Sequence, residues 1–277
     1  YTYLSGPGVF ILGGIGAAQG IIVMGNNSNG FAQKQALVTS SMSTTQRGFA
    51  YLSGANRYVT FATSTNRVAW STDSVTWTNG TSTNVPTTPY SITAGGSYYV
   101  IGGASGTMAY STDGATWTTA TSNNTGSIYG LAYSATPTNK FVAVGNTGQI
   151  SSSTNGITWT LQLNAGGTYP FHDVIYAGGK YVAIGYNGTQ GVVATSTDGL
   201  AWSQSQPASL TGTGCYPNKI IYVNSLYVAV PVYGYNSNSS ATAGLVTRGS
   251  GYWAILVPVN DVVIVLGVIL CSTLKIK

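Results

Sequence analysis

The 277-residue chain carries 10 Lys+Arg and 5 Asp+Glu, so only 5% of it is charged, where soluble domains average about 25%. All five acids are Asp, and without Glu, on which exposed helices rely, a helical protein is excluded. Aromatics at 12% supply ample surface to bury, which argues against charge-driven disorder, and the 37 Gly follow no triplet period, which excludes collagen.

The first 38 residues hold three short apolar runs, TYLSG (2–6), VFILGG (9–14) and GIIVMGNNSNGF (20–31). From residue 48 a fuller pattern sets in. FAYLS (49–53), RYVTFAT (57–63) and STDSVTW (71–77) are followed by YSITA (90–94), SYYVIGG (97–103) and STDGATW (111–117). YGLAYS (129–134), KFVAVGN (140–146) and STNGITW (153–159) repeat it, as do DVIYA (173–177), KYVAIGY (180–186) and STDGLAW (196–202). Weaker copies close the chain: KIIYV (219–223), LYVAV (226–230) and TRGSGYW (247–253), then AILVPV (254–259), DVVIVLGV (261–268) and ILCSTLKIK (269–277). Trp77, Trp117, Trp159 and Trp202 stand 40, 42 and 43 residues apart. Each copy reads as four short strands, a to d, with the Trp motif between c and d. Alternating apolar and small residues, punctuated by Gly, Asn and Asp, make the strands. Four-stranded units of about 40 residues predict propeller blades, each burying its faces against its neighbours. The expected fold is all-β: one β-propeller domain, 1–277, of about seven four-stranded blades. Their approximate bounds are 1–38, 48–80, 88–121, 127–163, 170–206, 217–253 and 254–277, the last lacking its final strand.

The motif has a local physical reading. Asp73, Asp113 and Asp198, and Asn155 in their place, accept backbone N–H groups of their own turn. Ser71, Ser111, Ser153 and Ser196 satisfy what remains, Gly supplies a positive φ, and Trp77, Trp117, Trp159 and Trp202 pack between blades. Asn155 keeps the hydrogen bonds without the charge, which points to structure and away from chemistry. The motif resembles the Asp-box, or BNR repeat, of sialidases, sortilin-type receptors and related propellers, although here Gly follows the Asp directly and the box is one residue shorter. The resemblance implies a β-propeller with the boxes away from the usual ligand face. For a sialidase it implies an Arg triad, a Tyr nucleophile assisted by Glu and an Asp acid/base. Glu is absent, and Arg47, Arg57, Arg67 and Arg248 fall on opposite edges, so no glycosidase activity is expected.

Other chemistry is as thinly supplied. His172 is the sole His, and Asp173 beside it on a strand points the other way. No Gly-x-Ser-x-Gly elbow is present. One His with two distant Cys makes a poor zinc set, so neither metal nor cofactor is expected. Cys215 and Cys271 are too few for a disulfide framework, and a single bridge or two free thiols both remain open. The net charge of +5 is scattered from Lys34 to Lys277 without a basic stripe, so no nucleic-acid partner is expected. Pro258, Asn260 and Asp261 interrupt the apolar stretch 253–271, which reads as two strands rather than a membrane span. Residue 1 is Tyr, which points to processing or to a piece of a longer chain.

Repeat alignment sets Phe49, Tyr90, Tyr129, His172, Asn218 and Trp253 in one row at the start of strand a, expected at a channel mouth. On the same face lies the longest b–c loop, 233–243, with Tyr233 and Tyr235. Rings in a row suit sugar stacking, and Tyr/Ser/Asn loops suit adaptable recognition. The composition resembles that of virion adhesins. The expected role is a non-enzymatic binding or structural propeller, extracellular or on a virion surface such as a bacteriophage tail or capsid. Its expected partners are other proteins of a large surface assembly and a host-surface glycan. The alternatives are a secreted carbohydrate-active enzyme or lectin of sialidase-like fold, and an assembly factor.

Overall fold

A computed structural model of the chain describes residues 2–6, 9–15, 20–25, 36–37, 46–63, 67–81, 83–166, 169–187, 191–206, 217–223, 225–231, 244–247, 253–259 and 262–265. The first sheet is β1 (Thr2–Gly6), β2 (Val9–Ile15), β3 (Gly20–Gly25) and β4 (Ala36–Leu37), and the second is β5 (Gln46–Leu52), β6 (Arg57–Ala62), β7 (Arg67–Ser71) and β8 (Thr78–Asn79). β9 (Pro89–Gly95), β10 (Tyr98–Gly103), β11 (Met108–Ser111) and β12 (Thr118–Ala120) make the third; β13 (Ile128–Ser134), β14 (Lys140–Gly145), β15 (Gln149–Ser153) and β16 (Thr160–Asn164) make the fourth. The fifth is β17 (Phe171–Ala177), β18 (Lys180–Tyr186), β19 (Gly191–Ser196) and β20 (Ser203–Ser205). Within these five sheets each strand lies beside its sequence neighbour.

The sixth sheet differs. It holds β21 (Pro217–Val223), β22 (Leu226–Pro231), β23 (Gly244–Thr247), β24 (Trp253–Val259) and β25 (Val262–Val265) in the order β21-β22-β25-β24-β23. β25 runs parallel to β22 through Tyr227 and Val262. The strands expected to form a separate last blade thus share the sheet of 217–231. Physically, the β-branched run from Val262 to Val265 takes the free edge of β22, which strand c fills in the earlier sheets.

The chain divides into two compact units, Tyr1–Ala143 with Ile150–Leu161, and Val144–Gln149 with Gln162–Lys277. In the first, Val59, Phe61 and Val68 of the second sheet pack with Tyr99, Ile101 and Trp117 of the third. Val100 and Met108 of the third pack in turn with Phe141 and Trp159. In the second unit Val182, Ile184 and Val193 pack with Ile220, Tyr227 and Ala229. Burial falls from the second strand to the fourth. β6 and β10 are buried at all but their first residue, whereas both residues of β8 are exposed. Stacked sheets dictate this, because a middle strand is covered on both faces and reads as a nearly unbroken apolar run.

The excess of Tyr has a structural use. Tyr51 and Tyr58, Tyr176 and Tyr181, and Tyr222 and Tyr227 face one another across the first hairpins of their sheets. Their ring centroids are 4.6, 4.7 and 4.7 Å apart. Such cross-strand pairs stabilise a sheet beyond the area they bury. Tyr99 donates its hydroxyl hydrogen to the Arg57 carbonyl of the preceding sheet at 2.6 Å, and Tyr227 does the same to Ala177.

Candidate functional site

The four boxes are closed hydrogen-bond circuits. At Asp113, one carboxylate oxygen accepts from Ser111 Oγ at 2.9 Å and from the Ala115 and Thr116 N–H groups at 2.8 Å each. Ser111 Oγ itself accepts from the Gly114 N–H at 2.8 Å. Asp73 and Asp198 repeat the arrangement with Ser71 and Ser196. Asn155 repeats it through its amide oxygen, taking Ser153 Oγ at 3.0 Å and the Ile157 and Thr158 N–H groups at 2.9 and 3.1 Å. The neutral copy shows that the turn needs an acceptor and not a charge. Gly114 has φ +71°, and a Cβ there would lie 2.4 Å from Val59 of the preceding sheet, so the turn is pressed against its neighbour. Ser74, in the equivalent place of the second sheet, holds φ at +62°.

Trp77, Trp117 and Trp159 are buried, and Trp202 is half-buried. The indole N–H of Trp77 donates to Ser74 O at 3.1 Å and that of Trp159 to Gly156 O at 3.2 Å, while those of Trp117 and Trp202 are buried without a hydrogen bond. A second lock was not read from the sequence. Asn84 Nδ2 donates to Trp117 O at 3.0 Å, and Asn123 Nδ2 to Trp159 O at 2.7 Å. Each Asn lies just beyond the last strand of one sheet and holds the box of the next. Their recurrence six or seven residues after Trp77 and Trp117 was the available signal.

The start of the first strand is bulged in four sheets. The register slips at Arg47, Tyr90, His172 and Asn218, between Gln46 and Gly48, Pro89 and Ser91, Phe171 and Asp173, and Pro217 and Lys219. A bulge re-aims the side chain it carries and ends the pairing, a recurrent device beside binding sites. It also corrects the expected row. Phe49 pairs with Thr60, as Ile92 pairs with Ile101 and Val174 with Ala183, so Phe49 lies two residues further along its strand than Tyr90 and His172 do on theirs. Phe49 is buried against Trp77, with ring centroids 6.2 Å apart, and Arg47 holds its place in the row. A shift of two residues keeps every side chain on its face of the strand, so an alignment by apolar pattern does not detect it.

Tyr90 and Tyr129 are half-buried and meet edge to face, centroids 5.1 Å apart. His172 is stacked on Tyr186 at 4.8 Å and 12°. Beside it Asp173, buried, accepts from the Ile220 N–H at 3.0 Å and from Lys219 Nζ at 3.3 Å. Trp253 opens β24 opposite Thr247, its side chain outside the described residues, as are Tyr233 and Tyr235. Among the described residues, no three His, Cys, Asp or Glu side chains converge as a metal site, and no helix is long and apolar enough to cross a membrane.

These groups set an expected pH response. Burial, with the Lys219 charge, lowers His172 to about 4 from its ordinary 6.5. The unfolded chain therefore binds a proton that the folded chain refuses, and stability falls as pH drops from about 6.5 towards 4. The Thr76 N–H bond, with the Val75 N–H and the Ser71 hydroxyl, lowers Asp73 to about 2. At Asp113 burial pushes upward, but the Thr116 and Ala115 N–H groups outweigh it; at Asp198 the Leu200 and Ala201 N–H groups lower the carboxyl. These contributions are present above about pH 4 and are lost as pH falls through the folded values. Thermal melts across pH 2–8 should show both losses. His172→Gln should flatten the upper one, and Asp→Asn at 73, 113 and 198 the lower; an unchanged profile in both variants would refute the assignment.

No family model and no curated protein matches the chain. Solved structures do. A chain of a streptogramin B lyase structure is similar at 14% identity and TM-score 0.63, covering 79% of this chain and 72% of that one. YCF48 bound to a D1 peptide is similar at 15% identity and TM-score 0.55, covering 80% and 71%. A chain of a nidogen/laminin complex is similar at 11% identity and TM-score 0.55, covering 76% and 80%. With stacked four-stranded antiparallel sheets, these likenesses show the fold: an all-β chain of the β-propeller kind.

Proposed function

We propose that this chain is a non-catalytic binding propeller of Asp-box type, with about seven blades, on the outer surface of a virus particle such as a bacteriophage tail or capsid. It attaches there to a host-surface glycan. The observation that carries the reading is the recurrence of half-buried rings at or beside the starts of first strands, Tyr90 with Tyr129 in the first unit and the His172–Tyr186 stack in the second. Aromatic faces are what a sugar ring packs against. Acid–base chemistry on a glycan uses two carboxyl groups flanking the scissile bond. Of the four described Asp residues, three close the box turns, and the fourth, Asp173, holds Lys219 and the Ile220 N–H. The charge-poor, Tyr-rich composition supports the particle surface.

Tyr90→Ala combined with Tyr129→Ala should weaken glycan binding about 30-fold, from the loss of two stacking rings, while the melting curve stays cooperative. Unchanged affinity would remove this pair from the site. Sedimentation of the native source through a density gradient, with the chain followed by mass spectrometry, tests the location. Migration with virus-sized particles supports it; a free species of 28.6 kDa overturns it. A glycan array left empty would bring forward a peptide ligand, the class held by the similar YCF48 structure.

A further inference from the structure

We infer that the start of the fifth sheet, where the His172–Tyr186 stack lies beside the Asp173–Lys219 pair, is a subsite for an uncharged polyhydroxylated ring, the class of a neutral hexose. The inference rests on the glycan-binding reading and specifies its ligand. Two features set this place apart from its counterparts. The second strand runs one residue longer here and ends on Tyr186, whereas Thr63, Ala104 and Asn146 stand at that place, just past the strand, in the second, third and fourth sheets. The third residue of the first strand is charged here and in the next sheet, Asp173 and Lys219, where the second, third and fourth sheets have Gly48, Ser91 and Gly130. Two of the chain's 15 charged residues are thus spent on one contact.

Stability does not account for that expense. Taking an ion pair out of water costs about as much as the attraction returns. The third and fourth sheets make the equivalent link without charge, Ser91 Oγ donating to Ile128 O at 3.2 Å. What the pair offers is unused hydrogen-bonding capacity. An ammonium has three donors and a carboxylate about four acceptor sites. Lys219 Nζ donates to Asp173 with one of its three and its side chain is 46% exposed; the two Asp173 oxygens each accept once, and the Asp173 side chain reaches the surface over 11% of its area. Vicinal hydroxyls, which both donate and accept, match a fan of donors and acceptors next to an aromatic face. The net charge of the pair is zero, and the His172 imidazole is uncharged at neutral pH. An anionic sugar would meet the Asp173 carboxylate and compete with it for Lys219, so the site selects against a uronate.

His172 is the only His of the chain, so its imidazole resonances are unambiguous. The full chain is titrated with methyl hexosides and with the matching hexuronates, following the His172 NMR signals and the heat of binding. The expected result is saturable movement of the His172 signals by a neutral hexoside and binding of the uronate no tighter than its neutral parent. About a tenfold loss of hexoside affinity is expected in Tyr186→Ala and in His172→Ala. Tighter binding of the uronate overturns the inference. So does hexoside binding that leaves the His172 signals still and both variants unimpaired; if that binding falls in the Tyr90/Tyr129 variant, the glycan reading stands and only this subsite fails. Binding of no glycan at all overturns both.

Discussion

Trp159→Ala should cost the first unit about 3–5 kcal/mol, the cost of emptying a large buried aromatic site, seen as a fall of about 10 °C in its melting temperature. The indole is 1% exposed, lies 6.3 Å from Phe141 between ring centroids, and packs among Val100, Met108 and Ile128 of other strands. Its N–H is bonded to Gly156 O, and its carbonyl is held by Asn123. The substitution therefore empties a core site and loosens two turns together. Trp202→Ala, at a half-buried indole with no hydrogen bond, should cost clearly less. Equal losses at the two positions, measured by calorimetry, would show that burial between sheets is not what the motif supplies.

Gly106→Ala should cost about 3 kcal/mol, from a left-handed backbone conformation that an L side chain resists and from overpacking. Gly106 has φ +71°, and a Cβ there would lie 1.9 Å from Asn124 O. That carbonyl cannot easily withdraw. The Asn124 N–H donates to Ser122 Oγ at 3.1 Å, and its side-chain oxygen accepts from Ser151 Oγ at 2.9 Å. Gly54→Ala is the matched control, with no atom within 4 Å of its Cβ position, and should change stability by less than about 0.5 kcal/mol. A melting temperature of Gly106→Ala equal to that control's would contradict the close approach.

The fold was legible because its signal is local and repeated. One turn needs an acceptor at Asp73, Asp113, Asn155 or Asp198, a positive φ next to it, and a Trp to bury. These demands recur wherever a sheet stacks on its neighbour, so they appear in the sequence as a period. The register of the first strand was not legible. A slip of two residues keeps every side chain on its face, so the apolar alternation fits either register, and Phe49 was matched to Tyr90 where Arg47 is the equivalent residue. The joining of β25 to β22 depends on which of several β-branched runs reaches a free edge, a long-range choice that local pattern does not encode. Asn84 and Asn123 looked like ordinary loop residues because their partners lie 33 and 36 positions away. Of the candidate site, Tyr90, Tyr129 and His172 were legible as equivalent positions of the repeat, whereas Tyr186 and the Lys219–Asp173 contact arise only from pairing across strands and between sheets.

The measurement that bears most directly on a non-catalytic, glycan-binding chain is a glycan array run with the intact protein, followed by analysis of the retained glycans for cleavage. The account predicts retention of glycans with neutral hexose ends, all of them recovered whole. Recovery of trimmed glycans would contradict the non-catalytic reading, and an array without retention would contradict glycan binding itself.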